Sequence, residues 1–133
     1  MLHRLPFETR QRREIVNITS AVHETLRQST IKDGFMLVTA QHTTCALVIN
    51  DANSGWEEDM VAYLERLVPD MRFHHLHDGP EHAKSHLLGA LLGPSLTIGI
   101  SDGRLTLGTW QSLFLLELEG PRPREVTVQL FRG

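Results

Sequence analysis

The run Ser95-Leu96-Thr97-Ile98-Gly99-Ile100-Ser101-Asp102-Gly103-Arg104-Leu105-Thr106-Leu107 sets two short stretches rich in apolar and β-branched residues on either side of Asp-Gly. Asp-Gly is the strongest short signal for a two-residue hairpin, so the run reads as two adjacent antiparallel strands. Two further strand-like stretches follow, Ser112 to Glu119 and Glu125 to Phe131, separated by the loop Gly120-Pro121-Arg122-Pro123-Arg124, which is too short for a domain linker. Working back toward the N-terminus, Gly93-Pro94 stops a helix that Pro80 opens and that runs to about Leu92. Before it, Trp56, Met60, Tyr63, Leu64 and Leu67 recur at helical spacing after a Ser54/Glu57 capping-box pattern, and Pro69 ends that helix. Phe35 to Ala40 and Cys45 to Asn50 are short apolar runs expected as neighbouring strands, with Asp33-Gly34 turning the chain into the first. Ser20 is a candidate cap for a short helix over 21–28, and Phe7 to Val16 reads as one exposed or edge strand. Strands at both ends around central helices indicate an α+β fold. The sheet is expected to be mixed, mainly antiparallel, folded into a sandwich with the helices packed on one side.

At 133 residues and 41% hydrophobic composition, the chain fits one domain over 1–133. A formal charge of -3 and a pI near 6.2 offer no basic footprint for a phosphate backbone, so nucleic acid is not expected as a partner. Arg4, Arg10, Arg12 and Arg13 are interleaved with Pro6, Glu8 and Glu14, and no apolar stretch follows them, so neither export nor membrane insertion is expected. The single cysteine, Cys45, lies in an apolar run, where it reads as a small buried hydrophobe rather than a nucleophile, and a reducing cytoplasm is the expected compartment. Asn17-Ile18-Thr19 matches a glycosylation sequon and is read as accidental.

Five of the eight histidines (His74, His75, His77, His82, His86) fall between Phe73 and Leu87, beside Asp78, Glu81 and Lys84. Imidazole is the commonest protein metal ligand and titrates near neutrality, so the cluster points to metal binding or proton transfer. His75 and His77 would share a face of extended chain, and His82 and His86 a face of the helix. Either pair supplies two donors, and the distant His42 can complete a set of three. A solvated polar loop is the competing reading, with His74 and His86 as first candidates for bystanders.

The order of several motifs resembles the YjbQ family, also called UPF0047, over nearly the whole chain. The matching segments are His42-Thr43-Thr44 through Ile49-Asn50; His75 with Asp78-Gly79; His82-Ala83-Lys84-Ser85 with Leu88-Gly89; and Gly103-Arg104-Leu105 with Gly108-Thr109-Trp110-Gln111. Asp78 stands where the family usually has Glu, and Gly55-Trp56 where Asp-Pro is common. The resemblance implies a YjbQ-like sandwich assembling as a homotrimer, and a secondary thiamine-phosphate synthase activity that joins hydroxymethylpyrimidine diphosphate to a thiazole phosphate. It also implies a pocket for a phosphorylated small-molecule substrate.

On that resemblance, His42, His75 and His82 are the expected ligands of a divalent metal, zinc first and magnesium or manganese as alternatives. Asp78, Lys84 and Ser85 are the expected catalytic groups. Lys84 and Ser85, near a helix N-terminus, together with Asn50, Trp110 and Gln111, are expected to bind substrate. Each has a plainer reading: Trp110 as core or subunit packing, Gln111 and Asn50 as satisfiers of backbone groups, His42 as a hydrogen-bonded structural residue, and Arg122 and Arg124 as solvated loop charges. The expected function is therefore a small metal-assisted transferase. A noncatalytic trimeric metal- or ligand-binding protein and a metal-dependent hydrolase remain as alternatives.

Overall fold

The computed structural model describes all 133 residues. In chain order the elements are β1 (Leu2–Glu8), β2 (Glu14–Asn17), α1 (Thr19–Arg27), β3 (Gly34–Ala40), β4 (Cys45–Asp51), α2 (Trp56–Leu67), α3 (Pro80–Leu92), β5 (Ser95–Ser101), β6 (Arg104–Leu105), β7 (Gln111–Glu117) and β8 (Pro123–Arg132). The strands form a five-stranded sheet ordered β1-β8-β3-β5-β6 and a three-stranded sheet ordered β2-β7-β4, with every pairing antiparallel. The fold is α+β, as the sequence pattern indicates.

The apolar patterns of the strands explain the layering. In β3, Met36, Val38 and Ala40 are buried while Phe35, Leu37 and Thr39 are not, so the larger sheet buries one face. In β7 the run Leu113-Phe114-Leu115-Leu116 has no polar alternation, because both of its faces are covered. Leu113 and Leu115 point into the core between the sheets with Met36, Val38 and Val128. Phe114, Leu116 and Leu118 point the other way, onto Leu64 of α2 and Leu88 of α3. The helices α2 and α3 thus lie on the outer face of the smaller sheet, while Val22 and Leu26 of α1, with Ile18 just before it, close the inter-sheet core.

Five local expectations change. Phe35 to Ala40 and Cys45 to Asn50 are not paired: β3 belongs to the larger sheet and β4 to the smaller, and residues 41–44 carry the chain between them. The half-alternating pattern of β3 and the continuous apolar run of β4 already differ in the number of faces they bury. Phe7 to Val16 is two strands in different sheets rather than one. Helix α1 starts at Thr19, where Asn17 Oδ1 accepts the Thr19 N–H at 3.0 Å, so Ser20 is no cap. Helix α2 starts after Gly55, whose φ of 93° takes the cap position that the Ser54/Glu57 pattern suggested for Ser54. Within α2, Tyr63 is exposed, and Val61 instead packs against the outer core.

A candidate histidine centre

Helix α3 begins behind two left-handed residues, Asp78 (φ 58°) and Gly79 (φ 87°), with Pro80 at its first position. That turn folds the 73–79 loop back over the first two helical turns. His82 and His86, one turn apart on α3, therefore meet His75 from the loop. Ring centroids lie 4.4 Å apart for His82 and His86, 4.9 Å for His75 and His86, and 5.4 Å for His75 and His82. One nitrogen from each of the three rings lies within 4.8 Å of the others. His77 stands at the rim, its centroid 5.7 Å from that of His82, with Nε2 3.1 Å from Asp78 Oδ2.

The far side of the centre is built by the smaller sheet. Just past β7, Glu119 places Oε2 2.5 Å from His82 Nδ1, and both side chains are nearly buried. When His82 is neutral, this carboxylate holds the hydrogen on Nδ1 and leaves the lone pair on Nε2. His82 Nε2 lies 2.8 Å from His86 Nε2, so one of these two nitrogens must carry a hydrogen and the other a lone pair. Burial, then the neighbouring His82 and His75, lowers the pKa of His86 below the usual histidine range and favours its neutral form.

Glu119 is itself held from behind. Its N–H donates to Glu117 Oε2 at 3.1 Å, and Arg122 Nη2 lies 3.3 Å from its Oε1. Glu117 is fully buried and takes Arg124 Nε at 2.8 Å and the Thr9 hydroxyl at 2.6 Å on Oε1, with Arg124 Nη2 on Oε2 as well. Arg124, expected on a solvated loop, is only 4% exposed, because β8 begins at Pro123 and turns it inward onto Glu117. It also donates to the Thr44 carbonyl and hydroxyl at 3.0 and 2.8 Å, tying the β3–β4 connection to the same network.

The expected site residues do not all gather here. His75 and His82 belong to the centre, and His86 joins them in place of the distant His42. His42 Nε2 accepts the Glu125 N–H at 3.0 Å, and burial followed by the field of Arg124 lowers the pKa of its ring. Lys84 Nζ donates to Asp70 Oδ1 at 2.6 Å and to Glu81 Oε1 at 3.3 Å, and the Asp70 bond above all raises its pKa. The Ser85 hydroxyl is buried between the carbonyls of Leu118 (2.9 Å) and Glu81 (3.0 Å), which fixes α3 to the sheet. Asn50, Trp110 and Gln111 lie at the opposite end of β7, where Asp51 pairs with Gln111 and Asn50 with Ser112. Gln111 Oε1 accepts the Gly108 N–H at 2.7 Å, and Trp110 is 69% exposed. Eight residue steps, along β7 from Gln111 and just past its end to Glu119, span about 25 Å.

Three contributors escaped the sequence reading: Glu117, Glu119 and Arg124. A signal was present, since an acidic side chain inside the apolar run Leu113 to Leu118 must be paired if that run is buried.

Sequence and shape place this arrangement among known proteins. Residues 3–133 match the family described as UPF0047 protein YjbQ-like. A UPF0047 protein of Archaeoglobus fulgidus is 39% identical over 125 residues, covering 94% of this chain and 97% of that protein. One of Methanocaldococcus jannaschii is 36% identical over 132 residues, covering 98% and 94%. The crystal structure of a hypothetical protein from Aeropyrum pernix superposes with a TM-score of 0.93 at 31% identity, over 100% of this chain and 99% of that one. A YbjQ-like protein of unknown function from Sulfolobus solfataricus gives 0.93 at 32%, over 100% and 97%. With a family match across all but two of its residues and relatives of this identity over nearly its full length, the chain belongs to the YjbQ-like UPF0047 family.

Proposed function

We propose that His75, His82 and His86 hold a divalent metal, zinc first, and that the protein is a small metal-assisted enzyme acting on a phosphorylated small molecule. The observation that carries this reading is the convergence of three imidazoles with Glu119 behind His82. A carboxylate fixing the tautomer of a ligating histidine is a recurrent feature of metal centres. The donor set suits zinc: bonds of about 2.05 Å at tetrahedral angles put ligand nitrogens about 3.3 Å apart, which needs only small rotations from the observed spacing. A metal bound by three histidines supplies a Lewis acid and a bound water of lowered pKa. The chain's own part is to hold the His82 ring through Glu119, so that a neutral His82 presents its Nε2 lone pair, and to favour the neutral form of His86.

An anionic substrate meets Arg122, which is half exposed beside Glu119, more readily than Lys84, which Asp70 and Glu81 already engage. Thiamine-phosphate synthesis is the reaction that the family resemblance names. The proposed assembly is a homotrimer, its copies covering the exposed Trp110, Leu87 and Leu91, and the proposed compartment is a reducing cytoplasm. No helix is long and apolar enough to cross a membrane.

Metal analysis of untagged protein tests the centre. Near-stoichiometric zinc is expected in the wild type, lost in His75→Ala, His82→Ala and His86→Ala and retained in His42→Ala. A wild-type protein that takes up neither zinc, manganese nor magnesium would end the metal reading. Thiamine phosphate formed from the two phosphorylated precursors only by metal-loaded protein would support the synthase. Loaded protein without that product leaves the hydrolase or the noncatalytic binder.

A further inference from the structure

The connection between β3 and β4 faces helix α3 across a cleft of about 320 Å³, lined by His42, Thr43, His86, Gly89, Ala90 and Pro94. That volume lies at the lower end of small-molecule sites. No charged side chain lines it, and apart from Thr43 and the two imidazoles its walls are small and apolar. A charged group placed there would lose its hydration without gaining a counter-ion, whereas an uncharged ring would lose little. The cation beside His42, Arg124, is already matched by buried Glu117.

One residue lining this cleft, His42, has the position of its ring hydrogen set by the fold. His42 Nε2 accepts the Glu125 N–H, so that nitrogen carries the lone pair and the ring hydrogen sits on Nδ1, which makes no hydrogen bond within the chain. Gly89 sets the width of the cleft, since a Cβ there would lie 2.7 Å from the Thr43 carbonyl oxygen. His86 belongs both to this cleft and to the histidine centre, so a molecule in the cleft lies against the centre's own wall.

We infer that this cleft seats an uncharged planar ring bearing a hydrogen-bond acceptor, held by the Nδ1–H of His42 and laid beside the His86 ring. The inference rests on the proposed metal centre for its catalytic meaning, because His86 places the ring next to that centre. The seat itself requires no metal.

Nicotinamide is a suitable probe, being uncharged, planar and rich in acceptors, with benzoate as a charged control of similar size. Both are titrated into the full-length protein, zinc-loaded and chelator-treated, while backbone amides and histidine ring nitrogens are followed by ¹H–¹⁵N NMR. Saturable shifts at Thr43, Gly89, Ala90 and the His42 ring are expected, with nicotinamide bound about tenfold tighter than benzoate. His42→Phe, which keeps a ring and removes the donor, should weaken nicotinamide about tenfold, the scale of one lost hydrogen bond. Ala90→Leu, which fills the cleft from the helix side, should abolish binding and provides a second arm if His42→Phe does not fold. Shifts confined to other surfaces, or equal affinity in the variants and the wild type, would overturn the seat. Binding that survives in metal-free protein upholds the seat even where the metal centre fails, and metal-loaded protein that ignores nicotinamide sinks the seat alone.

Discussion

Glu117 is fully buried between the two sheets, where an isolated carboxylate would be costly, and Arg124 is its only charged partner. Removing one member strands the other, which typically costs about 3–5 kcal/mol, whereas replacing both with apolar side chains of similar volume is often close to neutral. Arg124→Met should therefore lower stability in denaturant melts far more than the Glu117→Met/Arg124→Met pair. Equal losses in the two would show that the ion pair contributes only shape. Burial alone would raise the pKa of Glu117, but the Arg124 bond, followed by those from Thr9 and the Glu119 N–H, outweighs it and holds the group below the ordinary glutamate value. The unfolded chain then takes up the proton first. The corresponding stability is fully present above about pH 4.3 and is lost as pH falls through the lower folded value. A melt series from pH 7 downward should show this decline, and Glu117→Gln should flatten it. In the sequence, the density of histidines was legible as a site, but the carboxylate that orients His82 lies 37 positions away and only the β7–α3 packing brings it there.

Helix α3 carries the centre because three unrelated contacts fix its approach to the smaller sheet: Leu88 in the outer core, the Ser85 hydroxyl on the Leu118 carbonyl, and Gly89 against Thr43. Gly89 is the sensitive one. Gly→Ala inside a helix ordinarily stabilises by about 1 kcal/mol, yet here the new Cβ would meet backbone oxygen at 2.7 Å and has no flexible side chain to displace. Gly89→Ala is expected to lower stability by roughly 1–3 kcal/mol, the range of overpacked sites, and to weaken the proposed metal binding as α3 lifts from Glu119. A rise in Tm with unchanged metal content would mean that the helix yields at no cost. The helices α2 and α3 and the β5–β6 hairpin were readable because their signals are local: apolar spacing, Pro80, Gly93-Pro94 and Asp-Gly. The separation of β3 from β4 was legible only in part: their burial patterns differ, but sheet membership depends on which strands arrive from β5 onward. The roles expected of Lys84 and Ser85 came from their place near a helix start, and neighbours far along the chain engage both.

At the scale of the molecule, the residues that the resemblance assigns to one pocket lie at two ends of β7, His75 and His82 at one and Asn50, Trp110 and Gln111 at the other. A single copy cannot bring groups about 25 Å apart onto one small substrate. The exposed surface is also generous: 7868 Å² against about 7,100 Å² expected for a compact monomer of 15.1 kDa. Part of that surface is apolar, with Leu76 at 77%, Trp110 at 69% and Leu91 at 67% exposure. Neighbouring copies in the proposed trimer would cover such side chains and carry the Trp110 end of one chain toward the histidine end of another. Sedimentation should give a species of about 45 kDa, three times 15.1 kDa, and its dissociation on dilution should be visible in fluorescence. Trp56 stacks on Phe114 inside each chain and should not respond, whereas Trp110 should shift to longer wavelength as copies separate. Trp110→Phe should erase that shift while leaving the Trp56 emission in place. A species of 15.1 kDa across the whole concentration range, with constant emission, would mean that the two ends of β7 serve separate purposes and that the histidine centre works within one chain.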